Sequence, residues 1–156
     1  MPPTGFSGGT LYFAYGANLC RDHMALWCPE SAPLVKAMLP DYRLVFRHWA
    51  DVAPSPGDRV PGALYEVTAR DLASLDAFED CPSLYVRVQV RVRTERCFFD
   101  AMAYRMAPGR PLALPDPDYL AMLARGYADW DLGRPPSQDL SLTQRPQRQQ
   151  RERREG

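Results

Sequence analysis

Apolar and polar positions alternate strictly through Leu84-Tyr85-Val86-Arg87-Val88-Gln89-Val90-Arg91-Val92-Arg93. A period of two puts valines on one face of a strand and arginines on the other, so this segment predicts a strand with one apolar and one wet, basic face. Cys97 to Met106 follows across Thr94-Glu95-Arg96 as its hairpin partner. Leu11 to Tyr15 is an apolar, aromatic run that predicts a buried strand. Tyr42 to His48 alternates apolar and charged residues and predicts another. Trp49 to Arg59 reads as a loop that turns at Pro54-Ser55-Pro56-Gly57-Asp58. Val60 to Val67 is a further strand, with Pro61 placing its start on an edge, because proline brings no N–H to a ladder.

Three segments carry helical signals. Arg21 to Trp27 is helix-compatible and is stopped by Pro29. Thr68 is an N-cap for Ala69 to Phe78, whose Leu72, Leu75 and either Ala73 or Ala77 share one face. A last helix starts at Asp116 or Asp118 and runs to about Trp130, and Pro135-Pro136 ends the ordered part. The order β-α-β-β-α-β-β-α predicts a mixed α+β domain rather than a doubly wound parallel sheet. The expected division is a flexible lead-in over 1–9, one domain over 10–134 and a disordered tail over 135–156.

Composition narrows the chemistry. The chain has 156 residues, 46% apolar and 24% charged, one domain's worth of an ordinary globular protein. Its formal net charge is zero, but residues 144–156 hold five Arg against two Glu, leaving the body net acidic. That tail has no apolar residue beyond Pro146 and no aromatic among its arginines, so it reads as a solvated extension rather than a nucleic-acid or membrane-surface element. No run of apolar residues is long enough for a membrane span. The first nine residues lack the charged and apolar regions of a signal peptide, which predicts a cytoplasmic location. Cys20, Cys28, Cys81 and Cys97 form no C-x-x-C pair or zinc spacing and read as reduced thiols. Cys81 lies close to Glu79, but no cation adjoins it in sequence to activate it as a nucleophile. His23 and His48, the two histidines, have no ligand spacing, and Gly16 belongs to no phosphate-loop pattern. No metal and no cofactor are therefore expected, and carboxylate chemistry remains.

The first strand stops at Tyr15-Gly16-Ala17-Asn18-Leu19 ahead of a helix. Such a turn aligns backbone N–H groups for an anion, Gly16 permits close approach and any positive φ the turn requires, and Asn18 tolerates unusual backbone angles. The same pattern also fits a turn with a purely structural role. Glu79 ends the second helix after Phe78, where the helix dipole disfavours a carboxylate. Read alone it fits a surface glutamate. Desolvated among Phe78 and Tyr85, it would be raised toward the range useful for proton transfer at neutral pH.

Four blocks tip these readings toward function. Leu11-Tyr12-Phe13-Ala14-Tyr15-Gly16-Ala17-Asn18-Leu19 resembles the Tyr-Gly-Ser-Asn-Leu loop that opens the gamma-glutamylcyclotransferase family. Gly62-Ala63-Leu64-Tyr65-Glu66-Val67, with Leu75-Asp76-Ala77-Phe78-Glu79-Asp80, is similar to that family's strand, helix and catalytic Glu. Ala103-Tyr104-Arg105-Met106 resembles a late family strand carrying a Tyr, and Pro115 to Leu120, leading into Gly126-Tyr127, resembles the start of its last helix. The blocks keep the family's order from Leu11 to about Gly133.

The resemblance implies a small, mixed, partly closed barrel-like sheet with flanking helices and a site at one mouth. It implies intramolecular aminolysis of a γ-glutamyl compound, releasing 5-oxoproline, with Glu79 as the single catalytic acid and base. Substrate contacts are expected from Tyr12, Phe13, Ala14, Tyr15, Gly16, Ala17, Asn18 and Leu19. Tyr119 adds a hydroxyl, with Tyr85 and Tyr104 fitting either substrate contacts or core aromatics. Ala17 replaces the family's usual Ser, and the stretch from Glu79 to Tyr85 is one residue shorter than in vertebrate-type members. The expected partner is a small γ-glutamyl molecule, with no nucleic acid and no membrane, and a homodimer is compatible. Removal of a γ-glutamyl group from an amine or a biosynthetic intermediate is the enzymatic alternative, and a catalytically silent binding module the non-enzymatic one. Truncation after Pro136 is expected to leave the melting temperature and 5-oxoproline release unchanged; a fall in either would show that the tail docks.

Overall fold

The computed structural model describes residues 2–136. The expectation of a disordered tail falls outside these residues from position 137 onward. Five strands, β1 (Thr10–Ala14), β2 (Ala32–Arg47), β3 (Trp49–Val67), β4 (Tyr85–Arg93) and β5 (Phe98–Met106), close into a barrel in the order β1-β3-β2-β4-β5. Neighbours run antiparallel except β1 and β5, which meet in parallel at Tyr12 and Met102. The sheet is thus mixed, and it closes fully rather than in part. Three helices flank it: α1 (Arg21–Trp27), α2 (Ala69–Phe78) and α3 (Pro117–Trp130).

The structure departs from the sequence reading chiefly in the β2–β3 hairpin. Residues 32–41, which carried no strand signal, form the first half of β2, and Trp49 to Arg59 lies in β3 rather than in a loop. Prolines at 33 and 40 hid β2; both sit at irregularities of the register, where a missing N–H is tolerated. Ala50 and Val52 pair across the hairpin with Phe46 and Leu44. The expected turn survives as an excursion within β3: residues 55–58 have no partner in β2, Gly57 has φ +85°, and its N–H donates to Asp41 Oδ1 at 3.0 Å. Pro61 lies just beyond the β1 pairing, which ends at Ala63, so β3 there has a partner on one side only.

Alternation along β1 divides the protein into two cores. Phe13 and Tyr15 point into the barrel with Leu39, Phe46, Leu64 and Val92, whereas Tyr12 and Ala14 face a helix-covered layer with Tyr65, Met102 and Tyr104. Leu19, Met24, Leu75, Tyr127 and Trp130 close that second layer. In β4, Val90 and Val92 are buried and Arg87, Arg91 and Arg93 exposed, as the alternation requires, but Tyr85 joins the helix-covered layer.

Thr68 caps α2 through a reciprocal pair: the Asp71 N–H donates to Thr68 Oγ1 at 3.1 Å and the Thr68 N–H to Asp71 Oδ2 at 3.0 Å. Asp71 and Leu75 are the buried residues of this helix, while Ala73 and Ala77 are exposed. The last helix begins with Pro117 behind Asp116. It presses on the turn after β1, because Gly126 carries no side chain. A Cβ there would lie 2.4 Å from Leu19 Cβ and 2.8 Å from the Cys20 nitrogen. Gly126→Ala is therefore expected to destabilise by ~1–3 kcal/mol through overpacking, although helix propensity alone would favour alanine. Chemical denaturation measures this, and an unchanged or raised midpoint would show that α3 yields freely.

Candidate active site

The chain leaves β1 at Tyr15 and passes through Gly16 into a single 3₁₀ turn, Ala17–Leu19, before α1. Gly16 has φ −118°, so the turn does not need glycine for a positive φ. It needs the space, since a Cβ would sit 3.0 Å from Tyr119 Oη and 3.3 Å from Ala50 Cβ. The turn also offers fewer amides than its sequence suggests. The Leu19 N–H donates to Gly16 O and the Cys20 N–H to Ala17 O. The Gly16 and Asn18 amides take no part in these bonds.

A cavity of about 200 Å³ opens beside this turn, where the two cores meet. Tyr12, Tyr15, Gly16, Ala17 and Asn18 form its inner wall, with Tyr85, Tyr104 and Tyr119 around them and Glu79 among them. Phe13, Ala14 and Leu19 do not line it. Phe13 is packed inside the barrel, and Ala14 and Leu19 lie in the helix-covered layer. Phe13 shares its face with Tyr15 and Ala14 with Tyr12, both of which line the cavity, so packing within each core rather than strand alternation keeps Phe13, Ala14 and Leu19 from the opening.

Glu79 is the C-cap of α2, and its N–H donates to Leu75 O at 2.8 Å. Its backbone thus closes the helix while its side chain enters the cavity. Burial raises the carboxyl from its ordinary value to about 7. Asn18, 2% exposed, stands between two groups of the cavity. Its Nδ2 donates to Tyr12 Oη at 2.9 Å and makes a long contact of 3.4 Å with Glu79 Oε1, and its Oδ1 is buried with no partner.

The tyrosines are fixed from behind. Tyr85 donates to Ala50 O at 2.6 Å, and the Ala50 N–H donates to Tyr119 Oη at 3.0 Å, so one residue of β3 orients two hydroxyls. Asp51, 4% exposed, ties this segment down by accepting the Met106 N–H and Arg47 Nε, each at 3.0 Å. Tyr15 donates to Tyr104 O. Tyr104 donates to Asp76 Oδ1 at 2.6 Å, and Arg87 Nε bonds the same carboxylate at 2.8 Å. The Arg87 guanidinium holds Asp76 below the usual carboxylate range, whereas burial raises Tyr12, Tyr15, Tyr85, Tyr104 and Tyr119. The five phenols stay protonated, and Glu79 is the cavity group that exchanges protons near neutrality.

Trp49, Ala50 and Leu84 also line the cavity, and sequence reading missed them. The first two lay in the segment read as a loop; the period of two in Ala50 and Val52 was the available signal. Phe78 lines it as well, beside Glu79. Cys81 does not, and burial together with the Asp76 carboxylate pushes its thiol up, opposite to what a nucleophile requires. His23 packs against Phe78 and His48 against Trp49. Among the described residues no three His, Cys, Asp or Glu converge as metal ligands would, and no helix is long and apolar enough to cross a membrane.

Residues 12–130 match the family model described as gamma-glutamyl cyclotransferase, AIG2-like. The chain belongs to this family. The human gamma-glutamylcyclotransferase is 31% identical over 129 residues, covering 74% of this chain and 69% of that protein. A mouse gamma-glutamylaminecyclotransferase is 44% identical over a shorter stretch of 45 residues, 29% of this chain and 30% of that one. A solved gamma-glutamyl cyclotransferase superposes with a TM-score of 0.74 at 26% identity, covering 85% of this chain and 95% of its own. The matched residues contain the whole wall of the cavity, from Tyr12 to Tyr119.

Burial of Glu79 has a consequence for stability within this AIG2-like member. A carboxyl raised on folding favours the folded state while protonated and opposes it once ionised. Its contribution therefore falls as pH rises from the ordinary value near 4.5 through about 7. Glu79→Gln is expected to raise the melting temperature at pH 8, with the gain shrinking toward zero by pH 4.5. Thermal denaturation across that range checks it, and a gain that does not depend on pH would contradict the buried carboxyl.

Proposed function

We propose that this chain is a gamma-glutamylcyclotransferase that converts a γ-glutamyl amino acid or γ-glutamyl amine to 5-oxoproline and the free amine, with Glu79 moving the protons. The observation that carries this reading is Glu79 itself. It is a carboxyl raised to about 7, set in a small cavity among neutral tyrosines and Asn18, in a chain of this family. The substrate brings its own nucleophile, so the reaction needs neither a catalytic Ser or Cys nor a metal.

The required chemistry matches what these residues offer. The α-ammonium of the γ-glutamyl group gives a proton to the Glu79 carboxylate. The amine then attacks its own γ-carbonyl, and a lactam C–N bond forms as the original amide C–N bond breaks. Both protons that the ammonium sheds end on the leaving nitrogen, with Glu79 as the shuttle. A carboxyl whose pKa lies near the working pH serves both directions of transfer. Asn18 Oδ1, buried without a partner, is an acceptor for the ammonium, and the Gly16 and Asn18 amides are donors for substrate oxygens. Tyr85 and Tyr119, oriented through Ala50, and Tyr104, oriented through Asp76, hold the chain folded for ring closure. Relatives named gamma-glutamylcyclotransferase and gamma-glutamylaminecyclotransferase both match, which supports keeping both kinds of leaving group within this reading.

Glu79→Gln keeps the shape and removes the proton acceptor. It is expected to lower kcat by ~10²–10⁴ with the fold intact. The wild-type kcat/KM should rise with pH through an apparent pKa near 7, and that limb should be absent from the residual activity of the variant. Release of 5-oxoproline from γ-glutamyl-alanine provides the measurement, and near-normal turnover by folded Glu79→Gln would overturn the assignment.

A further inference from the structure

The cavity has two chemically different ends. Its inner part is polar and closed: Tyr12, Asn18 and Tyr104 are 4%, 2% and 2% exposed, and they surround the approach to Glu79. Its outer part is apolar and open. Trp49 is 41% exposed, and Phe78 and Leu84 are half-buried. Trp49, Phe78 and Leu84 together make an apolar rim continuous with the cavity, and that continuity makes this lip a candidate contact surface for a bound ligand.

The lip is held in place before any ligand arrives. Trp27 packs on Phe78 with ring centroids 4.8 Å apart, and His23 meets the same ring at 5.1 Å. Trp49 follows His48, whose φ of +69° makes the one-residue tip between β2 and β3, and the His48 N–H is anchored to Ala113 O at 3.1 Å. Two aromatic surfaces thus flank the opening on rigid supports, α1–α2 on one side and the β2–β3 hairpin on the other.

Charge points the same way. Among the described residues, those lining the cavity include no Lys, Arg or His. A leaving-group carboxylate within the cavity would meet no cation there and Glu79 would repel it, and at the lip the basic side chains packed against Phe78 and Trp49 are the rings of His23 and His48 rather than a Lys or Arg. The interior is also small, about 200 Å³ against the ~300–1,000 Å³ of pockets that enclose drug-sized ligands. A cavity of this size has room for a γ-glutamyl head, and a bulky group on the leaving nitrogen would then extend toward the lip.

We infer that the leaving nitrogen of the preferred substrate carries an uncharged apolar or aromatic group, which packs between Trp49 and Phe78. This rests on the cyclotransferase reading above and deepens it to a substrate class. Trp49 and Phe78 are then specificity-determining residues, acting on the leaving group rather than on proton transfer.

The test measures 5-oxoproline release from γ-glutamyl-phenethylamide, γ-glutamyl-phenylalanine, γ-glutamyl-glycine and γ-glutamyl-aspartate. The two aromatic compounds are expected to exceed the other two in kcat/KM by ~10- to 200-fold, the range that apolar pocket contacts provide. The amide should do at least as well as the phenylalanine compound, since the carboxylate finds no partner. In Trp49→Ala the ratio of aromatic to glycine compound should shrink most of the way to one, mainly through KM. Trp49→Arg, which supplies the missing cation at an exposed position, should shift preference toward the aspartate compound. Equal or better turnover of the glycine or aspartate compound by the wild type would overturn the inference and leave the cyclotransferase assignment standing. A preference indifferent to both Trp49 variants would equally overturn it. If no compound yields 5-oxoproline, the assignment itself fails and the inference with it.

Discussion

The parallel contact of β1 with β5 is the constraint on which the rest depends. Every other strand pair is antiparallel, and without this one the sheet would be open and its first strand an edge. Because β1 is held between β3 and β5, its far end delivers Gly16 and the 3₁₀ turn beside Ala50 of β3 and Tyr104 of β5. Closure also settles where polar groups can hide. The cavity lies at the seam between the two cores, so apolar packing encloses it on both sides and desolvates whatever carboxyl enters.

That desolvation gives Glu79 its character. Nothing cationic compensates the carboxyl, and the long contact with Asn18 is too weak to hold it ionised. Asp76, one helical turn earlier, has the opposite fate because Arg87 grips it from solvent. Two carboxyls of one helix are thereby separated in role. The outer one is an anion that fixes Tyr104, and the inner one titrates near neutrality. Three positions apart, the two are neighbours along one face, and the difference comes from what each meets: the Arg87 guanidinium for Asp76 and a desolvating cavity wall for Glu79.

The tyrosine hydroxyls show a second economy of design, in which backbone does the orienting. Ala50 contributes only a methyl group to its own side chain, yet its N–H and C=O direct Tyr119 and Tyr85. Asp51 secures that backbone against β5 and Arg47. Substitution at Ala50 would be felt through packing, since Gly16 lies against its methyl, rather than through any polar group of its own.

Local chemistry made several features legible in the residues alone. The alternation of Val88 to Arg93 fixes which face of β4 is buried, and Thr68 with Asp71 fixes the start of α2, because these depend on neighbours within a few positions. The four motif blocks carried the family, and with it Glu79 and the turn at Gly16. What the residues could not reveal depends on contacts far apart in the chain. The first half of β2 and the start of β3 look irregular, with prolines at 33, 40 and 54, and become strands because the former pairs with the end of β3 and the latter with the end of β2 along one long hairpin. That pairing brings Trp49 and Ala50 to the cavity. It was likewise tertiary placement that withdrew Phe13, Ala14 and Leu19 from the opening and made Gly16 a matter of space beside Tyr119 rather than of backbone angle. Sequence determined which groups were available for chemistry, because ionisable and hydrogen-bonding character belongs to each residue. The closed barrel decided which of them lose water and face one another, because desolvation is a property of the surroundings.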